Sequence, residues 1–113
     1  MAHDTLDVNP SLGGTTEKQN YIFDFSGDLT GDTTLADIGS GSTITAYKYD
    51  GTDVSSTILS NKTRTNMLLA VDIGSVTEGE EYRVEFLGKG ATTSDIFIKV
   101  LEVRARKYIQ GGF

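Results

Sequence analysis

The sequence predicts an all-β sandwich of about six to seven antiparallel strands. Apolar residues recur with a period of two in several short stretches, set at roughly 8–12-residue spacing along the chain. Between them lie turn-forming residues: the 113-residue chain has 13 glycines, a single proline and abundant Ser and Thr. No stretch sustains the 3.6-residue period of an amphipathic helix.

Residues 1–19 are polar, with Leu6, Val8 and Leu12 as isolated apolar positions, Pro10 and a Gly13-Gly14 pair. They read as an extended N-terminal arm able to dock on a neighbouring subunit. In residues 20–26, Tyr21, Phe23 and Phe25 alternate with Ile22, Asp24 and Ser26, which is a half-buried strand with an aromatic core side. Within residues 34–49, Ile44 and Ala46 share one side and Thr43, Thr45, Tyr47 and Tyr49 the other, after a kink at Gly39-Ser40-Gly41. Asp50-Gly51 is a tight-turn signal, and Val54 to Leu59 reads as the second arm of a hairpin.

Residues 60–65 are polar and read as a loop. In residues 66–73, Met67, Leu69, Val71 and Ile73 form a core face, while Leu68 and Ala70 make a second apolar face that implies burial against something else. From Gly79, Tyr82, Val84 and Phe86 point inward, and Glu81, Arg83 and Glu85 toward water. Gly79-x-x-Tyr82 has the spacing of the corner tyrosine of an immunoglobulin-like antiparallel β-sandwich. Residues 88–94 are a hairpin turn. Residues 95–103 are nearly continuous β-formers, as in a central strand buried on both faces, or on one face and an interface. The chain therefore divides into an arm (1–19), a sandwich domain (20–103) and a C-terminal tail (104–113). That tail carries Arg104, Arg106 and Lys107, no carboxylate, and Tyr108, Ile109 and Phe113 as anchors for a contact with an acidic neighbour.

A chain of this length is one domain and buries roughly two-thirds of its unfolded surface. It has no cysteine, which excludes disulfides and thiolate chemistry, and its formal net charge of −6 argues against a nucleic-acid partner. No apolar run approaches the roughly 20 residues of a membrane span, and Met1 to Thr5 do not resemble a signal peptide, so no membrane partner is expected.

Candidate chemistry is sparse. The single histidine, His3, lies in the arm, where a general base lacks a fixed position. Asp24, Asp28, Asp32 and Asp37 are close in sequence but lack the EF-hand pattern, and Asp-Gly pairs are what turns require. Glu78, Glu80, Glu81 and Glu85 fit a solvated face better than a carboxylate pair. No phosphate loop or nucleophile elbow is present. A non-enzymatic protein without cofactors or metal is expected.

The body resembles small immunoglobulin-like structural proteins of tailed-phage virions. The resemblance is carried by Tyr21-Ile22-Phe23-Asp24-Phe25-Ser26, Gly31-Asp32, Asp50-Gly51-x-x-Val54-Ser55, Gly79-Glu80-Glu81-Tyr82-Arg83-Val84 and the closing strand Ile96 to Val103, over roughly residues 20–103. It implies an adaptor linking tail and fibres or a head–tail connector component, or else a capsid decoration (cement) protein, made in the host cytoplasm. The implied partners are capsid, tail or fibre subunits and further copies of the chain; no catalytic residue is implied. A carbohydrate- or surface-binding β-sandwich using Tyr21, Tyr47 and Tyr49 is the reading from another class.

Overall fold

Period-two alternation puts one side of each strand into a shared core, and two sheets result. The computed structural model describes residues 2–8 and 18–105, with residues 2, 3, 7 and 8 described by backbone alone. Its strands are β1 (Ala2–Val8), β2 (Gln19–Asp24), β3 (Thr43–Lys48), β4 (Leu59–Thr65), β5 (Leu68–Ile73), β6 (Glu81–Lys89) and β7 (Ile96–Ala105). A single helical turn, α1 (Ser55–Ile58), precedes β4. One sheet has the order β1-β7-β6-β3 and the other β2-β5-β4. Among the described residues no helix is long and apolar enough to cross a membrane.

The core lies between the sheets. Phe23, Phe25, Leu69, Val71 and Ile73 meet Ile44, Ala46, Val84, Phe86, Leu101 and Val103 from the opposite side. Phe23 and Phe86 meet edge to face at 4.8 Å between ring centroids, and Tyr21 abuts Phe23 at 5.1 Å. This geometry sets the positive ring edge on the negative face and adds to the burial term. Gly88 is required here: a Cβ on it would come within 2.8 Å of the Phe25 ring.

The β5–β6 connection is pinned by Tyr82. Its ring is buried, and its hydroxyl accepts a 2.9 Å hydrogen bond from the Thr77 backbone N–H. Gly79 in the same connection has φ +86°, a conformation glycine adopts without steric cost.

Four expectations from the sequence change. Residues 2–8 are not a free arm but the edge strand β1. It runs parallel to β7, from Ala2 opposite Lys99 to Val8 opposite Ala105, so the otherwise antiparallel architecture has one parallel pair. Isolated apolar residues between polar ones are what an edge strand with one partner needs. Val54 to Leu59 is not a hairpin arm. Only Asp53 bridges to Tyr47, after which the Ser55 hydroxyl takes over, accepting from Ala46 N–H at 2.8 Å and donating to Asp53 at 2.7 Å; the chain then turns through α1. Residues 60–65 are not a loop but most of β4, which pairs with β5 through a register shift between Ser60 and Thr63. Polar and charged residues there suit an edge strand, because they discourage pairing with another chain. Finally, β7 runs two residues past the expected boundary at 103. Ala105 is buried and its N–H and C=O bond to Glu80 and Gly79.

Candidate functional site

The outward strand faces hold the residues that the core does not use. On the three-stranded sheet, the register sets Ile22 beside Ala70 and Thr63, and Asp24 beside Leu68 and Thr65. Ile22 is 52 % exposed and Leu68 half-buried, so Leu68 faces outward as its parity requires. Asp72 borders this patch, accepting from Asn61 at 2.8 Å and Asn20 at 3.0 Å. These donors hold its carboxyl below the usual carboxylate range.

On the four-stranded sheet, the outward pairs between β6 and β7 are Lys89–Ile96, Leu87–Ile98, Glu85–Val100, Arg83–Glu102 and Glu81–Arg104. Arg83 donates to Glu85 at 2.9 Å and lies over the Tyr47 ring, 5.3 Å from its centroid. Near this end of the sheet is a shallow cleft of about 220 Å³, lined by Lys48, Tyr49, Glu81, Tyr82, Arg83 and Glu102. Tyr49 is 90 % exposed at its rim.

The structure distributes the predicted contact residues unevenly. Leu6 packs against the chain's own core, because its position opposite Val103 turns it inward; it is not a free partner contact. Val8 lies in β1, described by its backbone, and Leu12 lies outside the described residues. Leu68 is on an open face. Arg104 belongs to β7, opposite Glu81, rather than to a tail. Arg106, Lys107, Tyr108, Ile109 and Phe113 lie outside the described residues.

The aspartates do not converge. Asp24 accepts from Ser26 N and Oγ, while Asp28 pairs with Lys99 at 2.8 Å. Asp37 pairs with Arg64. Asp32, only 9 % exposed, accepts from Thr93 Oγ1 at 2.6 Å and from the N–H groups of Thr92 and Thr93 at 2.8 and 3.1 Å. The Thr93 hydroxyl, and then the two backbone donors, hold the Asp32 carboxyl below its ordinary range despite its burial. Its carboxylate fills the space over Gly90, where a Cβ would lie 2.0 Å from Oδ2. It is a strut between two loops. Of the glutamates, Glu80 lies 3.9 Å from Lys48 and Glu85 is held by Arg83. His3, described by its backbone, sits in β1 opposite Val100.

Two features have no sequence signal. Lys99 occupies an inward position of β7. Its ammonium group donates to the Asp24 carbonyl at 2.9 Å and lies over the Phe23 and Phe25 rings, at 5.6 and 5.4 Å. A lysine among β-formers reads as solvated until its tertiary partners are known. Tyr21, expected as a core aromatic, also donates its hydroxyl to Asp4 and so ties β1 to the opposite sheet. Burial, followed by the Asp4 hydrogen bond and charge, pushes its hydroxyl up to about 12. No protein-family model matches the chain, and no curated protein or solved structure matches it either.

Proposed function

We propose that the chain is a non-enzymatic structural subunit of a tailed-phage virion. Its role is that of an adaptor joining tail and fibres or of a head–tail connector component, with an immunoglobulin-like sandwich as its body. The observation that carries the assembly role is the presence of apolar side chains on both outer sheet faces: Ile22 and Leu68 on one, Leu87, Ile96 and Ile98 on the other. A part that joins two neighbours needs two such surfaces, and contiguous exposed apolar patches mark contact sites more often than scattered residues do. The immunoglobulin-like type is supported by the sheet orders and by Tyr82, whose hydroxyl bonds back to the Thr77 backbone as a corner tyrosine does. The virion setting rests on the resemblance of residues 20–103. The chain is made in the host cytoplasm and partners other virion proteins in this reading; capsid decoration makes the same demands on the surface in a different place.

One observation favours a carbohydrate-binding module: Tyr49 stands free beside the 220 Å³ cleft. The other two tyrosines of that reading are engaged, Tyr21 by Asp4 and Tyr47 by Arg83, which does not favour a platform made of these three. The cleft is also below the roughly 300 Å³ at which small-molecule pockets begin.

Light scattering of the full chain mixed in turn with tail, fibre, connector and capsid proteins tests the proposal. A stoichiometric complex with a tail, fibre or connector protein is expected, weakened by Leu68→Arg without loss of fold. Binding to capsid alone moves the protein to the decoration role. Binding to none of them, with affinity for a glycan array lost in Tyr49→Ala, overturns the assembly reading.

A further inference from the structure

The outer face of the four-stranded sheet gathers its aliphatic side chains in one place. Ile96, Ile98 and Val100 are three successive outward residues of β7, and Leu87 stands beside Ile98 on β6. β1 begins opposite Lys99 and β3 begins opposite Leu87, so Ile96 and Ile98 lie at the β6–β7 hairpin end of the face, where β7 has no outer neighbour. Ile96 is 55 % exposed, Ile98 and Leu87 are half-buried and outside the core between the sheets, and Val100 is itself buried. Charged residues bound the row at both ends: Lys89 at one, Glu85, Arg83 and Glu102 at the other. An apolar centre with a charged rim is the anatomy of a protein–protein contact.

We propose that this face is the contact between two copies of the chain, packed sheet on sheet about a twofold axis. Charge selects the occupant. The chain as a whole carries −6, so two copies repel at long range unless their contact is locally balanced. This face is different: Glu81, Glu85 and Glu102 are matched by Arg83, Lys89 and Arg104 on the same two strands. Like on like here sets mixed charges against mixed charges. The opposite outer face, with Asp24 and Asp72 around Ile22 and Leu68 and Lys18 acting on Asp72, is the less balanced of the two and suits an unlike partner. Size agrees. Strands of 7, 10, 9 and 6 residues, at about 3.3 Å rise and about 4.8 Å spacing, present roughly 500 Å² in projection. Side-chain relief brings this near the ~800 Å² per partner of a standard interface. The stacked faces would lie about 10 Å apart, as sheets in a sandwich do.

The contact stands on the charge balance and the aliphatic row, independently of the virion setting, and goes beyond that reading by assigning the self-contact to one named face. Sedimentation equilibrium of the full chain, from low to high micromolar concentration, tests it. Twice the 12.2 kDa chain mass is expected at the upper end. Ile96→Lys, at an exposed position that leaves the core untouched, should raise the dimer dissociation constant at least about tenfold. Ile98→Lys should do the same, with folding checked by circular dichroism, and Leu68→Lys should leave the dimer intact. A single-chain mass throughout overturns the proposal, as does a dimer indifferent to both isoleucine variants or one broken by Leu68→Lys alone. A monomeric chain that binds a tail or fibre protein overturns the self-contact while leaving the adaptor reading standing.

Discussion

Tyr82 and Asp32 each use a polar side chain to accept hydrogen bonds from backbone N–H groups of loops. In Tyr82→Phe the ring stays in place but the Thr77 N–H loses its 2.9 Å acceptor. A loss of about 1–2 kcal/mol is expected, read as a lower urea midpoint with an unchanged slope. Asp32 titrates below the ordinary carboxylate range because its three donors favour the ionised form. A carboxyl with a depressed folded-state pKa contributes stability above the unfolded value of about 3.9, and that contribution is lost as pH falls through the folded pKa. Asp32→Asn should therefore be less stable than the parent at neutral pH, and the difference should shrink on acidification below about pH 4, as followed by thermal melts across a pH series. Tyr82 was legible in the sequence from its glycine three residues earlier. Asp32 read only as a turn residue, because its partners lie some 60 positions away in the chain.

At the scale of the elements, alternation located β2, β3, β5 and β6, since each turns one side to a common core, and an unbroken run of β-formers located β7. It failed for β4 and β1. β4 is polar on both sides over most of its length, so no period marks it, and its pairing is imposed by β5. β1 offers Leu6 to the core and Asp4 to Tyr21, contacts that exist only once β7 and β2 are assembled. The candidate surfaces were half legible. Leu68 was recognisable as a second apolar side of its strand, and the unbroken β-formers of residues 95–103 implied a covered or contacting face. That Ile22 would join Leu68, and Leu87 join Ile98, depends on register. The C-terminal boundary carries its own prediction. Deleting residues 106–113 leaves all of β7 and removes the cations and aromatics of the tail, so partner binding in light scattering should weaken, with the fold checked by circular dichroism. Deleting 104–113 removes buried Ala105 and its bonds to Gly79 and Glu80, which should cost at least about 1–3 kcal/mol in denaturant titrations.

For the whole molecule, the parallel pairing of β1 and β7 decides how the sandwich bears tension. Ala2 lies beside Lys99 and Val8 beside Ala105, so the first residue of β1 and the last of β7 sit at opposite ends of one seven-pair ladder. A pull applied at those two points loads every hydrogen bond of the ladder at once, in shear, instead of peeling them in succession. Forced unfolding is governed by the unfolding barrier, and rupture of several bonds together raises it. Force spectroscopy should find a high unfolding force when the chain is stretched from Ala2 and Ala105, and a much lower one when it is stretched from Val8 and Ala105, which unzips the same ladder from one end. On this geometry the parallel edge strand acts as a mechanical clamp between Ala2 and Ala105, a property that suits the proposed adaptor role.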